Sequence, residues 1–238
     1  MKTTISNPVV GSGSTARRVA LRRKSRETEV LVDLDLDPDA PFAEIDSGIG
    51  FLDHMLTSLA THAGWRLALA CRGDLVVDDH HSAEDCALAL GEALARALAR
   101  GPAPRRFGSG LAPLDEALAR AVVDLSGRAY CRAELGLSEA RLGELAGENV
   151  QHFFWSLASA AKMTLHIDIL AGENAHHKAE ACFKALALAL REATAAASGA
   201  AASPGSIPES TKGAVTVEEM RGDDWANAVL RLKGSPDA

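Results

Sequence analysis

The chain repeats itself. The stretch SLATHAGWRLALACRGDLVVDDHHSAEDCALALGEAL, from Ser58, is matched by SLASAAKMTLHIDILAGENAHHKAEACFKALALAL, from Ser156. Both copies read as helix, strand, a turn with Gly73 or Gly172, then HHxxE opening a long helix. The period is too long for a solenoid array. It implies two similar α/β halves joined in tandem. Ala- and Leu-rich helices can resemble each other by composition alone, but the repeated HHxxE weakens that explanation.

The chain has 238 residues, 47% of them hydrophobic, enough for a sizeable core. The halves fall at about 17–102 and 103–200. Residues 1–16 are small and polar and read as a flexible arm. ASGAAASPGSIPES, ending at Ser210, reads as a flexible linker, and 214–238 as a flexible C-terminal extension without strong pattern. A net charge of −7 argues against a nucleic-acid binder but leaves room for a basic pocket taking a phosphorylated small molecule. No stretch reads as a membrane span or a signal peptide. Four scattered cysteines, Cys71, Cys86, Cys131 and Cys182, read as small core residues of a reduced, cytoplasmic protein.

EVLVDLDLD, Glu29 to Asp37, alternates as a half-buried strand, with Val30, Val32, Leu34 and Leu36 on one face and Asp33 and Asp35 on the other. Phe51 to Ala63 has helical spacing and a stop at Gly64. Trp65 to Val77 reads as two strands turned at Arg72-Gly73-Asp74, and His80 to Ala99 as a long helix. Residues 101–113 read as a loop, Ala129 to Leu137 as a strand, and Leu114 to Leu125 as mixed. Helix over Val150–Lys162, strand over Met163–Leu170 and helix over His176–Ala197 complete the second half.

Chemistry concentrates in the eight histidines. On a helix, positions i and i+4 share a face, so His80 with Glu84, and His176 with Glu180, can each grip one ion. His81 and His177 point about a quarter-turn away, toward another ion or another part of the site. Imidazole with carboxylate suits Mn, Fe, Co or Zn better than Ca or Mg. Asp78, Asp79 and Asp85 stand where they can orient the imidazoles. His54 is undecided by spacing. His166, between Leu165 and Ile167, reads as a core histidine, His152 as structural and His62 as a helix-end cation. Arg105-Arg106-Phe107-Gly108, Ser126-Gly127-Arg128 and Ser210-Thr211-Lys212-Gly213 set basic groups beside small residues or hydroxyls, a way to wrap a phosphate. GSG at Gly11 and Gly108 lacks the strand–loop–helix context of a nucleotide site.

In this order SGIGFLDHM, DDHHSAED, RFGSGLAPLDEAL, DLSGRAY, TLH, HHKAEACFKAL and STKG resemble the imidazoleglycerol-phosphate dehydratases, over nearly the whole chain from Arg17 to Gly213. The resemblance implies an α/β (α+β) fold of two duplicated halves, each a four-stranded sheet backed by helices. It implies a 24-mer with two Mn ions per active site at subunit interfaces. The implied metal ligands are His54, His80, His81, Glu84, His166, His176, His177 and Glu180. Implied substrate contacts are Glu27, His54, His62, Arg106, Arg128, Ser210, Thr211 and Lys212. The implied reaction takes water from imidazole glycerol phosphate and gives imidazole acetol phosphate, in histidine biosynthesis. Glu27, in SRET, is the implied acid/base, with Glu180 as second choice. Two departures from the family pattern are Ala175, where an acidic residue is usual, and the extra Glu209 before STKG. A di-metal phosphatase and a metal-bound scaffold are the competing classes. The His-dominated ligand set disfavours the first, and the basic groups have no use in the second.

Overall fold

Strand β1 (Arg18–Lys24) turns back into β2 (Thr28–Asp35), and the two pair antiparallel. Then come β3 (Phe42–Asp46), α1 (Gly50–Ala63), β4 (Arg66–Gly73) and α2 (His80–Arg100). The second half repeats that order as β5 (Phe107–Leu114), β6 (Ala117–Asp124), β7 (Tyr130–Glu134), α3 (Gly147–Ala161), β10 (Thr164–Ala171) and α4 (Ala175–Thr194). A small hairpin, β8 (Arg141–Leu142) and β9 (Leu145–Ala146), is inserted before α3. This computed structural model describes residues 17–197, 216–220 and 224–232. The arm at 1–16, the linker from 198, and Ser210, Thr211 and Lys212 lie outside the described residues.

The duplication extends to strand order. One sheet runs β1-β2-β4-β3 and the other β5-β6-β10-β7. In each, the last pair is parallel and joined through a helix, β3–α1–β4 and β7–α3–β10, and the other pairs are antiparallel. The helices lie between the sheets, and the halves meet helix on helix, α1 on α4 and α2 on α3. One apolar core runs through the layers, with Trp65, Phe153, Phe154 and Phe183 fully buried.

Small residues set how closely the layers approach. A Cβ on Gly91 of α2 would lie 2.7 Å from the Leu157 carbonyl oxygen of α3. A Cβ on Gly108 or Gly110 would lie 2.0 or 2.1 Å from carbonyl oxygens of α4, at Ala189 and Ala185. The GSG at Gly108 is thus a packing device. Residues 107–114, read from their Gly and Pro as a loop, form a strand because α4 lies against them. Likewise 117–124, read as mixed, is β6. Trp65–Val77 holds one strand rather than two: after Gly73 the chain leaves the sheet, and Val76 and Val77 are exposed.

The C-terminal segment also differs from its reading as a flexible extension. Strand β11 (Thr216–Glu219) pairs antiparallel with β1 as a fifth strand. Helix α5 (Asp224–Leu232) lays Val229 and Leu232 over Leu31 and Ala70, on the sheet face turned away from the other helices. The segment is too short to show a decisive pattern; its partners are hundreds of atoms away in the chain. The same contact explains why β2 is buried on both faces, with Leu31 fully covered and Asp33 paired with Arg18.

Candidate metal centre

Both HHxxE motifs open helices, as their sequence context indicates. In α4 the Asn174 side chain caps the start, accepting from the backbone N–H of His176 at 2.9 Å and His177 at 3.3 Å. In α2 the Asp78 carboxylate accepts from the His80 N–H at 2.9 Å.

The helix crossings between the halves then bring a third ligand to each motif. His54 of α1 joins His176 and Glu180 of α4; His152 of α3 joins His80 and Glu84 of α2. In each triad the candidate ligand atoms lie within 4.8 Å of one another. In the first, Glu180 Oε2 is 3.2 Å from Nε2 of both His54 and His176. In the second, Glu84 is 3.8 Å from His80 Nε2 and 3.6 Å from His152 Nε2, and the two rings stack at 4.6 Å.

Two imidazoles and a carboxylate are a donor set for a first-row transition ion. His152 Nε2 is buried and has no hydrogen-bond partner among the described residues. A buried ring nitrogen in that state is costly unless something accepts its lone pair. The residues present therefore fit a metal.

Around the triads, partners fix the ring orientations. His80 Nδ1 lies 2.9 Å from Asn149 Oδ1, and His81 Nδ1 lies 3.0 Å from Asp74. His177 Nδ1 lies 2.7 Å from Glu116. Glu116 also accepts the backbone N–H groups of Asn174 and Glu173. Its carboxyl is pulled down to about 2, first by the His177 contact and then by the backbone donors. His81 and His177 are correspondingly raised above the ordinary imidazole range, by Asp74 and Glu116 respectively; Glu27 adds to the field on His81. Glu180 is held below the usual carboxylate range by Lys184 (2.8 Å) and His54, against the opposing effect of burial.

The aspartates expected to orient the imidazoles do other work. Asp79 accepts the Ala146 N–H at 2.7 Å, and Asp85 pairs with Arg23. Glu116, on the β5–β6 turn, supplies a carboxylate at the second HHxxE, which Ala175 directly precedes.

His166 is not brought into either triad. It is exposed on β10, its ring 5.5 Å from that of Tyr130. His152, read as structural, stands instead with His80 and Glu84. The repeat itself carries the missed signal: aligned at Ser58 and Ser156, the residue four positions earlier is His54 in one copy and His152 in the other. His62 is exposed in the last turn of α1. Glu27 is exposed in the β1–β2 turn. Arg106, in a left-handed conformation, forks onto Asp124 (2.6 and 3.2 Å), and Arg128 lies exposed in the next turn of the same sheet end. A cavity of about 390 Å³ beside the start of α2 is bounded by Leu75, Val77, Asp79, Arg141 and Glu144, away from the triad side chains.

A family model described as imidazoleglycerol-phosphate dehydratase matches residues 47–190, which span α1 through most of α4. The chain belongs to this family. Among curated dehydratases it is 46% identical over 225 residues to that of Neurospora crassa, covering 84% of this chain and 96% of that one. To the dehydratase of Saccharomyces cerevisiae it is 56% identical over 150 residues, covering 63% and 68%. The crystal structure of the Staphylococcus aureus dehydratase superposes with a TM-score of 0.66 at 37% identity, covering 74% of this chain and 99% of that one. That of the Pyrococcus furiosus dehydratase, solved with (S)-C348, gives the same TM-score and identity and covers 94% of its own chain.

Proposed function

We propose that this protein removes water from imidazole glycerol phosphate to give imidazole acetol phosphate, a step of histidine biosynthesis, using manganese in the cytoplasm. The observation that carries the reading is the pair of His/His/Glu triads, each assembled from both halves in a chain of the dehydratase family. In this reading His54, His176 and Glu180 hold one ion, and His80, Glu84 and His152 another. His81 and His177, turned aside and fixed by Asp74 and Glu116, serve as further ligands to ions shared with neighbouring copies.

Bound there, manganese supplies a Lewis acid and template for the azole ring of the substrate. The protein's own groups do the rest. Asn149, Asp74 and Glu116 each engage one ring nitrogen, leaving the other available to bind. Glu27 moves the proton at the carbon beside the ring. Glu180, occupied by His54, His176 and Lys184, acts as ligand rather than base. Arg106 and Arg128 hold the phosphate together with Ser210, Thr211 and Lys212, and His62 also contacts the substrate.

Geometry supports a site shared between copies. Arg106 donates its N–H to the Ala193 carbonyl, at the C-terminal end of α4, whereas His176 stands at the N-terminal end. The helix rise separates these points by about 25 Å. One chain therefore keeps Arg106 apart from its α4 triad, and in this reading a closed oligomer, the 24-mer of the family resemblance, joins the two between copies.

The test is direct. Purified protein with manganese converts imidazole glycerol phosphate to imidazole acetol phosphate, chelator abolishes the conversion, and manganese restores it. Hydrolysis of generic phosphate esters without this dehydration would overturn the reading.

A further inference from the structure

The Asp85 carboxylate is committed away from the imidazoles. It sits on α2 one residue after Glu84, and it is 7% exposed. One oxygen pairs with Arg23, itself 7% exposed, at the end of β1. The other accepts the hydroxyl of Thr28, the first residue of β2, and lies 3.4 Å from the hydroxyl of Ser25. Ser25 Oγ in turn accepts the backbone N–H of Glu27 at 3.2 Å and of Thr28 at 3.0 Å. The side-chain hydrogen bonds of Ser25 and Thr28 in the short turn between β1 and β2 thus lead to one carboxylate, beside the Ser25 N–H to Thr28 carbonyl bond and the Lys24–Glu29 pair that close the turn itself. Close approach is enforced from the far side: Gly73 pairs with Thr28, and a Cβ there would lie 2.1 Å from Ser82 Oγ in the first turn of α2.

We propose that Asp85 is a positioning residue for Glu27: it fastens the turn that carries Glu27 to the helix that carries Glu84. Adjacent residues on one helical turn then serve two purposes, Glu84 in a triad and Asp85 in setting where the acid/base stands relative to it. The inference rests on the reading of Glu27 as the acid/base. A carboxylate on a loose turn loses the near-attack geometry on which proton transfer depends, and displacement by about 1 Å costs up to about a hundredfold in rate.

The deciding variant is Thr28→Val in the full-length, manganese-loaded protein. It preserves side-chain shape and the Arg23–Asp85 pair while removing the shorter of the carboxylate's two ties to the turn and leaving the longer one from Ser25, whereas Asp85→Asn strands a buried guanidinium and threatens the fold. Thr28→Val is expected to lower kcat about tenfold or more, with KM changed less than about twofold and metal content unchanged. Added to Glu27→Gln, it is expected to cost nothing further, because the group it positions is already gone. Multiplicative losses in the double variant, or metal content falling in step with kcat, would overturn the inference. Full turnover in Glu27→Gln alone would instead remove the reading of Glu27, and this inference with it.

Discussion

Exchanging His152 for leucine separates the structure's ligand assignment from the one implied by family resemblance. His152 Nε2 is buried beside Glu84 Oε1 at 3.6 Å, and its ring stacks on His80 at 4.6 Å. Leucine fills the space and removes the donor. A four-ligand zinc site is worth about 10–16 kcal/mol at neutral pH, or about 2.5–4 kcal/mol per ligand. Losing one ligand therefore weakens the ion by about two to three orders of magnitude. Apo-protein prepared with chelator is titrated with manganese, and free ion is followed by its electron paramagnetic resonance signal. Wild type is expected to take up two ions per chain. His152→Leu keeps one tight ion and loses the other, and His166→Leu keeps both. Two tight ions in His152→Leu, or the loss of one in His166→Leu, would refute the assignment.

Arg128→Ala is expected to raise KM for the phosphorylated substrate about tenfold or more without changing manganese uptake; titration and steady-state kinetics check both halves of that statement. Lys212→Ala behaves the same way, whereas a pure loss of turnover would assign Lys212 to the chemistry. Gly110→Ala drives a Cβ to 2.1 Å from the Ala185 carbonyl oxygen, so calorimetry is expected to show a loss of about 1–3 kcal/mol. Val229→Asp lifts α5 from Leu31 and Ala70, and faster amide exchange at 224–232 and a lower melting temperature report it.

The duplicated architecture was legible because HHxxE is rare enough to align two otherwise Ala-rich stretches. The helix over Phe51–Ala63 was legible because its spacing is regular and Gly64, at φ 78°, ends it. Elements whose identity is decided by distant partners were not: β5 becomes a strand only because α4 covers its glycines, and β11 only because β1 offers an edge. The triads divide the same way. The i, i+4 pairs are local and readable, while His54 and His152 reach them from the opposite half. No local periodicity announces that contact, so spacing alone leaves His152 apart from His80 and Glu84.

The crossing of α1 onto α4 and of α3 onto α2 has a consequence for either half taken alone. A single half possesses an HHxxE face and a separate helical histidine, but it cannot close them on each other. Severed in the connection at 101–106, the two fragments would each hold an incomplete cage, and manganese uptake would return only on mixing them. A half-length chain with this topology would close such a cage only by pairing with a second copy, which the tandem chain holds in one molecule.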